Sequence, residues 1–521
     1  MLKLNEYPSL NMRTLLATSV SVLALTLAGC GGGDDDDDDP PEEPKSCADR
    51  ANDTPDKLME CVTREGVLKH LQKLDEIAKA NNNTRASGTM GYELSLDYAE
   101  GLFRGAGYKV WRQAFPLTTS TERSASVVER TAPTPTGPVV HHTLEYSGSG
   151  DVTAAVQAPA GNVNGCEESD FAGFTAGRIA LIQRGICPFA QKANNAIKAG
   201  AVGAVIYNNV DAPLDSATLG DDFTGNIPVV GISQTLGTQL AAVSGLQLRL
   251  RTDVLRQTIV SHNLLAETTT GDANKVVMVG AHLDSVEDGP GINDNGSGSA
   301  AIIETALYLA KTQPKNKLRF ALWGGEESGL VGSTYYVSQL SAEEKAKIAL
   351  YLNFDMIASP NPAFFIYDGD NSDEEGEPEG PGGSEVIEKD FEAFYNQRNK
   401  PFKGTDFDGR SDYGAFIDNG IPAGGLFSGA EGIKTPEEAA LWGGEANVAY
   451  DKCYHQACDD LTNLNLDALD LNSDAVAAST IRYAQDVEAV VSKREPPAAV
   501  ARQQALKPKR VVPPRYPLVA Q

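Results

Sequence analysis

The length, composition and charge of the chain limit what it can be. Its 521 residues are enough for two or three domains, and a hydrophobic content of 41% is ordinary for a soluble globular protein. The formal net charge of −27 argues against a nucleic-acid backbone as partner. We interpret the acidic surface mainly as a source of solubility.

The first 30 residues have the pattern of a lipoprotein signal peptide. Lys3 and Arg13 give a positive start before an apolar run, LLATSVSVLALTLAGC, that is too short for a confident transmembrane helix. The letters LAGC at its end resemble a bacterial lipobox, in which Cys30 becomes the lipidated first residue. A plain secretory signal is the alternative. We therefore predict an exported protein, either anchored to the cell-envelope membrane by a lipid or secreted.

Two polar segments flank the predicted folded body. Residues 31–60 begin with GGGDDDDDDPPEEP, which cannot form a core and suits an acidic linker. Residues 491–521 form a basic, proline-rich tail. We expect neither segment to pack as a domain.

The six cysteines that remain after Cys30 favour disulfides, because an even number in an exported chain is typical of oxidised pairs. Neighbours along the chain are Cys47 with Cys61, Cys166 with Cys187, and Cys453 with Cys458. Six cysteines allow many connectivities, so the sequence leaves the pairing open. Zinc–thiolate sites are disfavoured, since no CxxC spacing occurs.

The alternation of predicted elements along residues 256–490 indicates an α/β fold. Strand-like apolar runs alternate with helices, which is typical of a three-layer, mostly parallel sheet with helices on both faces. Residues 61–123 contain two amphipathic helices and the start of a strand, and we assign them to the same discontinuous domain. Short β-like runs dominate residues 124–255, which we expect to form an inserted β-rich domain.

Five residues have the side chains and the local contexts of a metal centre. They are His282, Asp294, Glu327, Asp355 and His455. Three follow predicted strands in VVMVGAHLDS, LRFALWGGEESG and IALYLNFDMI, and two lie in the loops GPGINDNGSGSA and CYHQAC. An open α/β sheet builds its site at the carboxyl edge of its strands. The sequence therefore predicts that these side chains meet at that edge.

The ligand types predict a pair of zinc ions, because imidazole and carboxylate ligands suit zinc. Two ions about 3.5–4 Å apart need a bridging ligand. We assign the bridge to Asp294, since a carboxylate on a Gly-rich turn can offer one oxygen to each ion. His282 and Asp355 are paired on one ion, and Glu327 and His455 on the other.

Two further carboxylates lie beside these ligands. Asp284 follows His282 by two residues, and we expect it to accept the second imidazole N–H and so orient the ring. Glu326 diverges from its neighbour Glu327, and we expect it to act as general base on a metal-activated water.

The chain carries six ordered motifs: GAHLDSV, GINDNGSGSA, LWGGEESGLVGSTYY, LNFDMI, GRSDYGAF and CYHQACD. Together they resemble the metallopeptidases of family M28, in particular the secreted Streptomyces-type aminopeptidases. The similarity covers about residues 61–118 and 255–490. It implies a zinc exopeptidase-like fold, two zinc ions on the five ligands above, and Glu326 as the base.

The resemblance also implies how a substrate is held. Tyr454 is similar to the tyrosine that stabilises the tetrahedral oxyanion. Arg410 matches the position at which that subgroup offers a backbone carbonyl to the free amine of the substrate, together with Glu326 and Asp355.

Three features depart from the small secreted members. Asp470 and Asp474 match two carboxylates of their calcium site, but the N-terminal partner is replaced near Cys61, which leaves calcium binding open. The segment GRIALIQRGICPFAQKANNAIKAGAVGAVIYNN resembles a protease-associated (PA) domain, which we place at residues 124–255. The lipobox is the third departure.

We expect an exported two-zinc aminopeptidase that removes the N-terminal residue, apolar by analogy, from peptides with a free amine. Three alternatives stay open on the same fold. They are a single-zinc enzyme of the glutaminyl cyclase type, a carboxypeptidase, and a non-catalytic binding module. The intact ligand set disfavours the last of these.

Overall fold

A computed structural model describes residues 46–214, 217–374 and 379–494 of the chain. The predicted signal peptide with Cys30, the linker up to residue 45 and the tail from residue 495 lie outside the described residues. The helices are α1 (Pro55–Met59), α2 (Arg64–Ala80), α3 (Met90–Gly105), α4 (Phe189–Lys198), α5 (Gln234–Ala241), α6 (Gly298–Leu309), α7 (Val331–Gln339), α8 (Ala342–Lys347), α9 (Ser384–Gln397), α10 (Tyr413–Ile417), α11 (Pro436–Trp442), α12 (Leu466–Gln485) and α13 (Glu488–Val491). The strands are β1 (Lys109–Ala132), β2 (Gly137–Pro138), β3 (His142–Thr143), β4 (Gly150–Gln157), β5 (Ile179–Gln183), β6 (Gly203–Tyr207), β7 (Val229–Ile232), β8 (Gln247–Glu267), β9 (Asp272–His282), β10 (Asn316–Trp323), β11 (Ile348–Phe354), β12 (Phe365–Tyr367), β13 (Lys403–Thr405) and β14 (Ala423–Phe427).

The central sheet has the order β13-β12-β14-β11-β9-β10-β8. Strands β14, β11, β9 and β10 are parallel to one another, and β8 joins β10 antiparallel. All seven residues of β11, IALYLNF, are buried, which is the pattern of a strand covered on both faces. The predicted three-layer, mostly parallel sheet is confirmed.

Successive residues of the central strands enter two different cores. On β9, Val277 and Val279 belong to the cluster that includes residues of α2, α3, α6 and α12. Val276 and Met278 belong to the opposite cluster, with residues of α7 and α10. This alternation follows from the two-residue period of a strand, and it fixes which strand ends carry side chains toward the site.

The helices begin where the sequence provides caps. The side chain of Thr63 accepts a hydrogen bond from the backbone N–H of Gly66 at the start of α2. Helix α6 is different, because ten of its twelve residues are buried, as expected for a helix enclosed by the sheet and by other helices.

No helix in the described ranges is long and apolar enough to cross a membrane.

A long antiparallel ribbon carries the chain into the inserted region. Strands β1 and β8 pair from Lys109 and Glu267 to Ala132 and Gln247, with register shifts near Ser124. Strand β8 then pairs with β4, and the sheet continues through β5, β6 and β7 to β3. The boundaries that we predicted at 123/124 and 255/256 both fall inside these two strands, so one sheet runs through both parts.

Among the residues that the structure describes, three disulfides form, each between neighbours along the chain. They join Cys47 to Cys61, Cys166 to Cys187, and Cys453 to Cys458. The last closes a loop of a few residues around His455, which restricts the backbone next to that side chain.

Candidate metal centre

Three adjacent strands bring the predicted site residues to one edge of the sheet. His282 is the last residue of β9, Asp355 follows the last residue of β11, and Glu326 comes three residues after β10. Because β9 is the parallel neighbour of both other strands, their carboxyl ends lie side by side.

The turn before Glu326 depends on a glycine. Gly325 has φ +64°, and a Cβ there would lie 3.3 Å from side-chain atoms of Leu117, Phe115 and Val331. Glycine adopts this left-handed conformation readily because it has no Cβ. The close packing against β1 therefore sets where the side chain of Glu326 begins.

Asp294 lies in a turn, Ile292–Ser297, between β9 and α6, and its own backbone angles, φ −103° and ψ 95°, are not helical. Its two carboxylate oxygens have different neighbours. Oδ1 is 3.2 Å from Nε2 of His282, and Oδ2 is 3.2 Å from Nε2 of His455. Each imidazole also contacts a second carboxylate: Asp355 Oδ1 lies 3.2 Å from His282, and Glu327 Oε2 lies 3.1 Å from His455.

These distances test whether the side chains could hold metal ions. Ligand atoms bound tetrahedrally to zinc at about 2.0 Å are separated by roughly 3.3 Å. The contacts of each imidazole with its two carboxylates are 3.1–3.2 Å. The donor set and its spacing therefore fit two zinc ions that share Asp294. Donor atoms of His282, Asp294 and Glu327 also lie within 4.8 Å of one another, as two sites sharing one carboxylate require.

The carboxylates of the site favour a positive charge close to them. Burial alone would lower the pKa of His282, but the carboxylates of Asp355 and Glu326 outweigh it and hold the pKa well above its usual value. Burial likewise opposes the charged form of His455, but Glu327 and Asp294 raise its pKa to about 9. The protons that the imidazoles attract occupy the place that a divalent cation takes when it binds.

Asp284 behaves differently from the sequence-based expectation. The nearest partner of His282 Nδ1 is the backbone carbonyl oxygen of Asp284 at 3.0 Å, whereas the Asp284 carboxylate lies 3.7 Å away. That carboxylate accepts the backbone N–H of Glu326 at 3.4 Å. The ring of His282 is therefore oriented mainly by main chain, and Asp284 links the end of β9 to the turn after β10.

Arg85, which the sequence analysis did not single out, holds the loop between His282 and Asp294. It is completely buried, and its guanidinium donates to the carbonyl oxygens of Leu283, Pro290 (2.8 Å) and Gly291 (2.6 Å). Burial lowers its pKa to about 10, so it stays charged at neutral pH. The only available signal was an arginine next to the loop NNNT, because all its partners lie about 200 residues away.

Two more partners of the ligands were also missed. Asp459 accepts the backbone N–H groups of Asn293 (2.9 Å) and Asp294 (3.0 Å), and so ties the His455 loop to the proposed bridge. Ser411 donates to Asp355 Oδ2 at 2.5 Å. The first contacts fix the main chain that carries Asp294, and the last fixes the direction of the Asp355 carboxylate.

A cleft opens at this edge of the sheet, and Glu326, Asp355 and Tyr454 lie in its wall. The ring of Tyr454 stacks on His455 with centroids 3.8 Å apart. Arg410 also lines the cleft; its guanidinium lies 2.9 Å from Glu431 and donates to the hydroxyl of Tyr454 at 3.3 Å. The structure thus brings Arg410 and Tyr454 together beside the metal centre.

The two carboxylates that match a calcium site are both on α12. Burial raises the pKa of Asp474 to about 6, and Asp470 adds to this shift while Arg398 opposes it. Within the described ranges, no third His, Cys, Asp or Glu groups with this pair at ligand distance.

The sheet edge and the two sets of imidazole and carboxylate donors define a class of protein, an α/β enzyme with a metal centre at the carboxyl ends of parallel strands. A family model, peptidase family M28, matches residues 263–480, and the PA domain matches residues 148–240. Two relatives and one solved structure support the same assignment over most of the chain. The chain belongs to peptidase family M28 and contains a PA domain.

The matched regions cover most of the length of each relative. An aminopeptidase of Pseudomonas aeruginosa is 50% identical over 441 residues, which is 82% of each chain. The probable lipoprotein aminopeptidase LpqL of Mycobacterium tuberculosis is 43% identical over 431 residues, or 82% of this chain and 86% of LpqL. The solved aminopeptidase from Aneurinibacillus sp. strain AM-1 has a TM-score of 0.68 at 28% identity, covering 83% of this chain and 96% of its own.

Proposed function

We propose that the protein is an aminopeptidase that works with two zinc ions. Its family and its relatives make it an aminopeptidase, and the imidazole and carboxylate donors of the site suit zinc. The observation that carries the two-ion proposal is the position of Asp294, whose two oxygens each lie 3.2 Å from a different imidazole. His282 and Asp355 would hold one ion, and Glu327 and His455 the other.

Glu326 is the proposed general base and acid. Bound zinc supplies a Lewis acid that lowers the pKa of a water and polarises the scissile carbonyl. Glu326 is 1% exposed and its Oε2 lies 3.8 Å from His282 Nε2, so its carboxylate is at the centre and not on the rim. It takes the proton of the attacking water and returns it to the leaving amine.

Residues in the wall of the cleft also account for recognition of a free N-terminus. Glu326 and Asp355 offer carboxylate oxygens to the substrate ammonium. Arg410, whose backbone carbonyl is the proposed third acceptor, also lines the cleft. The hydroxyl of Tyr454 is the proposed donor to the oxyanion of the tetrahedral intermediate. Its contact with Arg410 at 3.3 Å holds that hydroxyl toward the cleft.

The test compares peptides that differ only in their N-terminal group. Acetylation removes the charge and adds bulk where the amine should sit, so free peptides should be shortened one residue at a time and acetylated ones left intact. Mass spectrometry of a digest would show the ladder. Internal cleavage, trimming from the C-terminus, or cyclised N-terminal glutamine as the main product would overturn the assignment and favour an alternative activity on this fold.

The proposed location is the cell envelope, through a lipid on Cys30. The supports are the LAGC pattern and a relative that is described as a probable lipoprotein. Cys30→Ser should move the enzyme from the membrane fraction to the soluble fraction without loss of activity. A wild-type protein that carries no lipid would contradict the anchor.

A further inference from the structure

Four hydrogen bonds in series run through the core and end at the Asp355 carboxylate. The indole N–H of Trp323 donates to the hydroxyl oxygen of Tyr351 at 2.9 Å, and that hydroxyl donates to Oδ1 of Asn353 at 3.0 Å. The amide N–H of Asn353 donates to Oγ of Ser411 at 2.9 Å. The Ser411 hydroxyl then donates to Oδ2 of Asp355 at 2.5 Å. All five residues are buried, and we call them the Trp323–Asp355 network.

The strands place these side chains in line. Tyr351, Asn353 and Asp355 lie two residues apart on β11 and just after it, so their side chains point to the same face of the sheet. Trp323 ends β10, and β9 lies between β10 and β11. The two rings meet over Gly280 of β9, where a Cβ would collide with the Tyr351 hydroxyl and lie 2.8 Å from Trp323 Nε1. A glycine at this position therefore lets the network cross the middle strand.

The two ends of the network fix the direction of every hydrogen bond in it. The indole of Trp323 can only donate, and a carboxylate that binds a cation can only accept. The Tyr351 hydroxyl therefore receives the indole N–H and gives its own proton to Oδ1 of Asn353. This leaves the N–H groups of the amide to face Ser411, which in turn directs its proton at Asp355.

The last bond of the network acts on a proposed metal ligand. Ser411 holds Oδ2 of Asp355, and the other oxygen, Oδ1, lies 3.2 Å from Nε2 of His282. The His282 ring is held from its far side, since its Nδ1 lies 3.0 Å from the carbonyl oxygen of Asp284. Hydrogen bonds from behind thus orient both proposed ligands of this ion, and such contacts commonly change metal affinity by about 10–100-fold.

We propose that Trp323, Tyr351 and Asn353 are positioning residues for the metal centre. They act through Ser411 to hold the Asp355 carboxylate in the direction that its ion and the substrate ammonium require. This inference rests on the proposed function, in which Asp355 is a ligand, and it adds residues that touch neither the ion nor the substrate.

Tyr351→Phe tests the network because it removes only the hydroxyl. The ring of Tyr351 stacks on Phe416 with centroids 3.9 Å apart and planes within 3°, and phenylalanine keeps that contact. Without the hydroxyl, the Asn353 amide can turn and accept the Ser411 proton, which is then lost to Asp355. We expect the affinity for one of the two zinc ions to fall by roughly three- to tenfold, less than for loss of a group that touches the ligand. Competition with a chromogenic chelator measures it.

Tyr336→Phe is the matched control. Tyr336 is buried in the same core cluster as Tyr351, and its ring also lies against Trp323, with centroids 5.2 Å apart. Its hydroxyl accepts a hydrogen bond from Arg319 at 2.6 Å and lies outside the network. Calorimetry of the metal-free proteins measures the stability that each variant loses, and only Tyr351→Phe should also lose zinc affinity.

A double variant shows whether Tyr351 acts through the serine. Ser411→Ala should lower the affinity for the same ion by about 10–100-fold. Adding Tyr351→Phe to it should lower the affinity no further, because two residues of one network are not additive. Asn353→Leu, which has a similar size and no hydrogen-bonding group, replaces Tyr351→Phe in both measurements if that variant does not fold.

Three results would overturn the network. They are wild-type zinc affinity in Tyr351→Phe, an equal loss of affinity in Tyr336→Phe, and fully additive losses in the double variant. Each of them requires a wild type that binds zinc, so they leave the proposed function standing. A wild-type protein that binds no zinc contradicts the proposed function itself.

Discussion

Glu326 and Glu327 are adjacent in the chain but have different neighbours in the site. Glu327 Oε2 lies 3.1 Å from His455 Nε2, within the spacing of ligands on one ion. Glu326 Oε2 lies 3.8 Å from His282 Nε2, and the backbone N–H of Glu326 is held by Asp284. One carboxylate can therefore serve as a ligand while its neighbour moves protons.

Replacing Glu326 with glutamine tests this division. Glu326→Gln keeps the size of the side chain and removes its basicity, so kcat should fall by about 10²–10⁴-fold, with the zinc content unchanged. Steady-state kinetics and metal analysis of the same preparation provide both numbers.

Glu327→Gln is the matched control for that substitution. It removes the same charge from the next residue, and it should lower the zinc content because the ligand of one ion is lost. A Glu326→Gln enzyme that keeps near wild-type kcat would show that another group takes the proton.

At the scale of elements, main-chain contacts give the site its shape. The loop between β9 and the turn Ile292–Ser297 is held by Arg85, which donates to the carbonyl oxygens of Leu283, Pro290 and Gly291. Those carbonyls belong to the segment that joins His282 to Asp294. A planar guanidinium can bind several acceptors at fixed angles, which an ammonium cannot.

Arg85→Lys should therefore weaken metal binding. We expect zinc affinity to fall by roughly 10–100-fold, as for loss of other contacts that orient ligands, measured by competition with a chromogenic chelator. Arg104→Lys is the control, because Arg104 is 55% exposed and pairs with Glu100 on the surface of α3. Equal zinc affinity in both variants would show that Arg85 does not position the ligands.

Helix α9 carries a buried carboxylate that lowers the free energy of unfolding at neutral pH. Glu388 is 3% exposed, and its donor groups lie within 4.8 Å of those of Asp368 and Asp370. Burial is the main cause that raises its pKa from 4.5 to about 7, and the two aspartates add to it. As the pH rises between these values, the unfolded chain loses its proton first, so the free energy of unfolding decreases.

Glu388→Gln should remove this pH-dependent penalty. The variant should unfold at a higher temperature than the wild type at about pH 8, and the two should agree more closely at about pH 4, where both states hold the proton. Calorimetry at the two pH values measures the difference. Glu437→Gln, at an exposed glutamate of α11, should show no such gain.

At the scale of the molecule, the metal centre joins parts of the chain that are far apart in sequence. Its proposed ligands run from His282 to His455 and come from three strand ends and two loops. Phe115 and Leu117 on β1 pack against Gly325, so the ribbon that leads to the PA domain also supports the turn of Glu326. Bound zinc therefore stabilises contacts between distant segments.

Removal of the metal should affect both activity and stability. A chelator should abolish hydrolysis and lower the unfolding temperature, because an ion that binds only the folded state stabilises it. Titration of zinc into the stripped enzyme should restore activity with two equivalents. Full recovery with one equivalent would contradict the two-ion proposal, and full activity without metal would contradict zinc dependence.

The sequence by itself determined the fold class and the residues of the candidate centre. Buried strands such as VVMVGAH and IALYLNF are recognisable because a strand covered on both faces is apolar throughout. The end of such a strand, and a Gly-rich turn like that of Asp294, are local features. A polar side chain placed there can be predicted without knowing what lies opposite.

The tertiary structure alone decided what surrounds those residues. Arg85 and the carbonyl oxygens that it binds are about 200 residues apart, and Asp459 reaches the backbone of Asp294 across a similar gap. Asp284 offers its main-chain oxygen to His282 instead of its carboxylate. Such partners depend on how loops fold over the sheet edge, and the direction of a carbonyl or a carboxylate in space has no local pattern in the sequence.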